Sequence, residues 1–178
     1  LALAGLVVSS SLLACSSDVD HDDASDDGET EPSADTSDAL RSAVSCTERT
    51  DTGYRSGKPF TITVITVGGK PVAKPAGHAF LKMQAAADAA GVRLAIASGF
   101  RTMAEQQHLY SCYVHKNCND GNLAAKPGYS NHQSGSALDL STSTWLANNA
   151  HKFGFERTVP GEPWHYEHSG ADPGGPCT

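Results

Sequence analysis

The chain has 178 residues, 39% of them hydrophobic and 19% charged, with a formal net charge of −7. That length and apolar content supply one globular domain with a core of its own. No run of Lys and Arg interleaved with aromatic residues marks a nucleic-acid-binding surface. No apolar stretch reaches the roughly 20 residues of a membrane-spanning helix.

Leu1 to Cys15 is a short apolar run of the kind that forms the core of a secretory signal. Within it, Leu12-Leu13-Ala14-Cys15 resembles a bacterial lipobox, which implies a lipid anchor on Cys15 and attachment to the membrane. An ordinary cleaved signal is the alternative. The run opens at Leu1 with no basic segment ahead of it, so a longer precursor is expected. Residues 16–40 hold ten Asp and Glu and no Lys or Arg. So little apolar surface cannot offset the entropy of ordering, and the stretch is expected to be a disordered tether rather than a calcium loop. From Arg41 onward the chain carries 13 basic and 10 acidic residues, a net charge of +3. The domain 41–178 is therefore mildly basic, which suits an anionic cell-wall polymer.

Cys46, Cys112, Cys118 and Cys177 remain after Cys15. An even set in an exported protein reads as two disulfides. Of the possible connectivities, Cys112–Cys118 with Cys46–Cys177 is favoured, because it closes one local loop and ties the two ends of the domain. A cysteine-based zinc site is the rival, although no C-x-x-C pair exists.

Phe60 to Val67 is β-branched and alternates in part, and Gly68-Gly69 signals a hairpin turn. His78 to Ala90 has Phe80, Leu81, Met83 and Ala87 near helical spacing, with Gly91 as its stop. Val92, Leu94 and Ile96 alternate as a central strand leading into Ser98-Gly99-Phe100-Arg101. Thr102 and Glu105 form a capping box, which starts a helix directly after Arg101 and leaves Arg101 at a strand-to-helix junction facing a cleft. Gln106, one turn on, is expected to face the same cleft. Asn119 to Tyr129 reads as an extended polar loop, and Thr144 to Lys152 as a short helix ended by Gly154. The expected fold is α+β, helices packed on a small, largely antiparallel sheet.

Ser130-Asn131-His132-Gln133-Ser134-Gly135-Ser136-Ala137-Leu138-Asp139 and Glu162-Pro163-Trp164-His165 carry the chemistry. Ala137 to Leu140 alternates as a strand with Leu138 and Leu140 on one face and Asp139 on the other. His132 lies seven residues before Asp139, so the chain must bend between them, at Ser134-Gly135-Ser136. Trp164 and Tyr166 are expected to pack inward while His165 turns the other way. Two imidazoles and a carboxylate are ligands that a catalytic Zn²⁺ takes, with a fourth position left for water. The candidate ligands are His132, Asp139 and His165, and Glu162 is the candidate base.

The pattern S-x-H-x(6)-D followed by E-x-W-H resembles the zinc D-alanyl-D-alanine carboxypeptidases, in their VanY-like branch. The wider group includes lysostaphin-like peptidases and the hedgehog signalling domain. The resemblance runs from about Phe60 to His168 and includes Ser98-Gly99-Phe100-Arg101 and Ala150 to Phe155. It implies zinc on His132, Asp139 and His165, Glu162 as the catalytic acid–base, and a substrate-contacting hydroxyl on Ser130. Arg101 is the candidate electrostatic partner of the substrate and Gln106 a further binding residue. Many relatives continue E-P-W-H-Y with Arg; here Glu167-His168-Ser169-Gly170 follows, at the rear wall of the site. The implied function is a monomeric peptidase of peptidoglycan stem peptides in the bacterial cell envelope. A wall endopeptidase and a non-catalytic zinc-stabilised wall-binding domain are the alternatives.

Overall fold

The computed structural model describes residues 44–177. The apolar run 1–15 with its lipobox and the acidic stretch 16–40 lie outside the described residues. Strands β1 (Val44–Arg55), β2 (Lys58–Val67) and β3 (Lys70–Ala73) form an antiparallel sheet in that order. The β2–β3 hairpin turns at Gly68-Gly69, with φ of 58° and 73°. Positive φ at both turn residues matches the twist of the flanking strands and suits glycine. β2 alternates only in part because both its faces are covered. Ile62 and Val64 pack with Ala73 and Phe100, whereas Ile65 and Val67 belong to the main core.

Helix α1 (Lys74–Ala89) follows β3 without a loop, four residues earlier than its apolar spacing marks. Pro75 stands in its first turn, where a missing N–H costs nothing. Ala76, Ala79, Phe80, Met83 and Ala87 are buried along one side of the helix. Gly91, with φ of 71°, ends it as expected.

The second sheet has the order β4-β5-β7-β6, from β4 (Ile96–Ser98), β5 (Ala137–Leu140), β6 (Phe155–Glu156) and β7 (His165–His168), and every pairing in it is antiparallel. The expected central strand over Val92–Ile96 is thus a short edge strand that begins only at Ile96. Leu94 is buried, but its carbonyl accepts from the Gln84 side chain on α1 at 3.0 Å instead of entering a ladder. Apolar alternation reported burial there, not pairing.

Helix α2 (Met103–His115) opens on the expected capping box, with both reciprocal Thr102–Glu105 bonds formed. Helix α3 (Thr144–Asn149) is capped by Ser143 and runs into a 3-10 turn over Ala150–Phe153 that Gly154 ends at φ 79°. Leu138, Leu140, Leu146, Phe155 and Tyr166 meet the buried face of α1 in one core. The fold is α+β as expected, with two small antiparallel sheets in place of one. The long strand β1 had no signature in sequence, because most of it is exposed. Among the described residues no helix is long and apolar enough to cross a membrane.

Cys46 pairs with Cys177 and Cys112 with Cys118. The first closes a separation of 131 residues. In the chain-entropy account a loop of about 100 residues contributes up to about 5 kcal/mol. Thiol labelling of the denatured, unreduced protein is expected to find none of these four cysteines free, and two reactive thiols would refute the pairing.

Candidate active site

The turn over Asn131–Gly135 carries His132 and lies flat on the first sheet. Gly135 has φ 77°, and a Cβ there would sit 2.4 Å from Ile62 Cδ1 and 2.7 Å from Ala73 Cβ. Only glycine fits both the backbone and the contact. The chain then enters β5, where Asp139 pairs directly with His165 of β7 and lies opposite Ser98 of β4. Directly paired residues project from the same face of a sheet. Sheet register thus brings together groups that are 26 residues apart in sequence.

Three donors converge as a result. Asp139 Oδ2 lies 3.3 Å from His132 Nε2, and Asp139 Oδ1 lies 3.1 Å from His165 Nδ1. His132 Nδ1 donates to the Gly99 carbonyl at 2.8 Å, which leaves the Nε2 lone pair aimed at the centre. The three donor atoms lie within 4.8 Å of one another. Ligands about 2.0–2.1 Å from a tetrahedral zinc are themselves roughly 3.3 Å apart, so the set fits such an ion. Burial works against the charge on Asp139, but hydrogen bonds and attraction from the two imidazoles outweigh it and hold the carboxyl well below its usual range. Burial likewise disfavours the His165 cation, yet Asp139, Glu167 and Glu162 raise its pKa overall. A cluster so ready to share a positive charge suits a bound cation.

Glu162 lies on the turn before β7, where its carbonyl accepts from the His165 N–H at 3.2 Å. Its Oε2 stands 3.9 Å from His165 Nδ1, beside the donor set. An open cleft of about 1490 Å³ runs past this centre, with Arg101, Ser130, Glu162 and Trp164 in its wall. Trp164 is 44% exposed there, contrary to the inward packing expected of it, while Tyr166 is buried. Strand alternation applied to Tyr166 but not to Trp164, which precedes β7.

Arg101 lies at the junction of β4 and α2. Its guanidinium donates to Gln106 Oε1 at 2.9 Å and to Ser98 Oγ at 3.3 Å. Burial lowers its pKa against the pull of Asp139 and Glu105. Gln106 is fully buried and absent from the cleft wall; its amide donates to the Ala125 carbonyl at 2.7 Å. It therefore holds Arg101 and the 122–125 loop rather than reaching the cleft, because its turn of α2 faces inward. Ser130 reaches the cleft wall, although its hydroxyl already accepts from the His132 N–H at 3.3 Å.

Gly99 locks this arrangement. A Cβ on it would lie 2.3 Å from the Pro71 carbonyl oxygen, to which Phe100 N–H donates at 2.7 Å. Since the Gly99 carbonyl also orients His132, Gly99→Ala is expected to cost about 1–3 kcal/mol of stability and to weaken metal binding. Chemical denaturation with a chelator titration measures both; an unchanged midpoint would mean that β3 yields freely.

A second group, His108 with Cys112 and Cys118, has metal-like spacing. Its two sulfurs are joined to each other, so they are not thiolate ligands, which answers the cysteine-based rival.

The model of the VanY family, D-alanyl-D-alanine carboxypeptidase, matches residues 69–171. The chain belongs to this family. Arg101, Ser130, His132, Asp139, Glu162 and His165 all fall within the VanY segment, and Cys46 and Cys177 lie outside it. A D-alanyl-D-alanine carboxypeptidase of Enterococcus faecalis (strain ATCC 700802 / V583) is 31% identical over 118 residues, covering 49% of this chain and 44% of the relative. The chain thus spans less than half of that relative's length. Among solved structures, a mutant of the vancomycin-resistance D,D-pentapeptidase VanY from a VanB-type cassette, in complex with Zn(II), superposes with a TM-score of 0.50 at 25% identity. The match covers 71% of this chain and 83% of that one.

Two contributors escaped the sequence reading. The Gly99 carbonyl has no residue signature. Glu167 had one: it follows His165 by two in a strand and so shares its face. His168, three residues after His165, packs on Phe155, with ring centroids 5.2 Å apart.

Proposed function

We propose that this chain is a zinc-dependent D,D-carboxypeptidase that removes the terminal D-alanine from peptidoglycan stem peptides in the cell envelope. The observation that carries this is the convergence of His132, Asp139 and His165, with Glu162 Oε2 3.9 Å from one of the donor nitrogens. Zinc held there supplies Lewis acidity, making water more acidic and drawing charge from a carbonyl oxygen.

The chain's own residues do the rest. Glu162 accepts a proton from the attacking water and delivers it to the departing amine as the C–N bond breaks. Water supplies the oxygen that completes the new carboxylate. Arg101, held in line by Ser98 and Gln106, pairs with the substrate's terminal carboxylate through its planar fork. Ser130 lines the approach. The carboxylate of Glu162 favours an enzyme over a zinc-stabilised binding domain, since a purely structural ion needs no spare base. Cys15 is proposed as the site of a lipid anchor that keeps the domain at the membrane.

Metal analysis with digestion of purified wall fragments tests the reading. One zinc per chain and products lighter by a single alanine are expected. Products cut at an internal bond would make the chain an endopeptidase, and full zinc occupancy in His132→Ala would refute the ligand set.

A further inference from the structure

Glu167 stands in the second β-strand position after His165, and the reaction described above gives it no task. It lies on β7 on the same face of the strand as His165. Its Oε1 lies 3.6 Å from His165 Nε2, and both side chains are largely buried. That nitrogen is buried without a hydrogen-bond partner. The same Oε1 accepts from Asn131 Nδ2 at 2.7 Å and from the Thr158 hydroxyl. Asn131 adjoins His132, and Thr158 lies four residues before Glu162. One carboxylate thus touches the segments that carry both imidazoles and the base.

We propose that Glu167 is a positioning residue for the metal site, accepting the Nε2–H of His165 so that Nδ1 keeps its lone pair for the ion. The inference rests on the zinc reading above. An imidazole has two nitrogens, and a ligand ring must hold its proton on the one that faces away from the metal. Metal-bound histidines commonly donate that N–H to a carboxylate, which fixes the ring and makes it a stronger donor. A neutral His165 with its proton on Nε2 meets this need, because no other acceptor is bonded to that nitrogen. The separation of 3.6 Å exceeds a hydrogen bond by about 0.5 Å, so a shift of that size within the same rotamer closes it. The Glu also binds the Asn131 amide and the Thr158 hydroxyl, which hold it in place.

Zinc affinity by chelator competition and the His165 ring-proton resonance of the zinc-loaded protein test this together. Glu167→Ala is expected to weaken zinc binding about 10- to 100-fold and to abolish the slowly exchanging, downfield Nε2–H signal. Glu167→Gln, which keeps an acceptor oxygen without the charge, should retain the signal and bind zinc with intermediate affinity. A strap that merely ties Asn131 to Thr158 would leave the ring-proton signal unchanged. A folded Glu167→Ala protein with wild-type affinity and signal overturns the inference. Should that variant fail to fold, Glu167→Gln with wild-type affinity and an unshifted resonance does the same. A wild type that binds no zinc overturns both the functional reading and this inference. A wild type that binds zinc no more tightly than its Glu167 variant overturns the inference alone.

Discussion

Glu162→Gln is expected to keep its zinc and lose about 10²–10⁴-fold of its hydrolytic rate, the usual contribution of a positioned general acid–base. The substitution keeps the shape of the side chain and removes only its ability to take a proton. Glu162 is not among the converging donors, so the ion should stay. Its backbone carbonyl, which receives the His165 N–H at 3.2 Å, is untouched by the change. The measurements are turnover on a D-Ala-D-Ala peptide and zinc content of the same sample. Near-normal turnover would assign the proton transfer to another group, and loss of the metal would show that the carboxylate is a ligand. A wild type that binds wall peptides but never cuts them would favour the binding-domain reading.

Arg101→Ala should cost about 2–5 kcal/mol in transition-state binding, roughly 30-fold to several thousand-fold, and only for substrates that end in a free carboxylate. Removing one partner of a desolvated charge pair leaves the other without compensation. Two peptides ending in D-Ala-D-Ala, one with a free terminus and one amidated, isolate this effect. The wild type should prefer the free acid strongly, and the preference should collapse in the variant. Because Arg101 also bonds Gln106 and Ser98, some general loosening is expected, but it would affect both peptides alike. If the wild type cuts both equally, terminal recognition is absent, and Arg101 serves the scissile carbonyl of an endopeptidase.

Local chemistry was legible where the chain itself determined the outcome. The Thr102–Glu105 box, the Gly68-Gly69 turn and the stops at Gly91 and Gly154 all depend on a few adjacent residues. The convergence of His132, Asp139 and His165 was legible because each motif is short and chemically unusual. What could not be read depended on partners distant in sequence. Val92–Ile96 looked like a central strand, yet Gln84 takes the Leu94 carbonyl and only Ile96 onward enters a ladder. Gln106 looked like a cleft residue because its turn number was known and its rotation was not. β1 was invisible because an exposed strand needs no apolar pattern. Glu167 has a place in the site only through the two-residue period of its strand, which puts it on the face of His165.

The Cys46–Cys177 bridge also changes what the denatured protein is. Its Cα atoms are 4.9 Å apart at opposite ends of the described domain, so the oxidised chain unfolds into a closed ring rather than an open coil. A ring cannot expand fully and exposes less new surface to denaturant, which lowers the m-value as well as shifting the midpoint. His132, Asp139 and His165 all lie within that ring. Closing the ring modestly shortens the average separation of the donors in the unfolded chain, so the oxidised coil should recapture the ion, and with it the fold, somewhat more readily than a reduced coil of the same sequence.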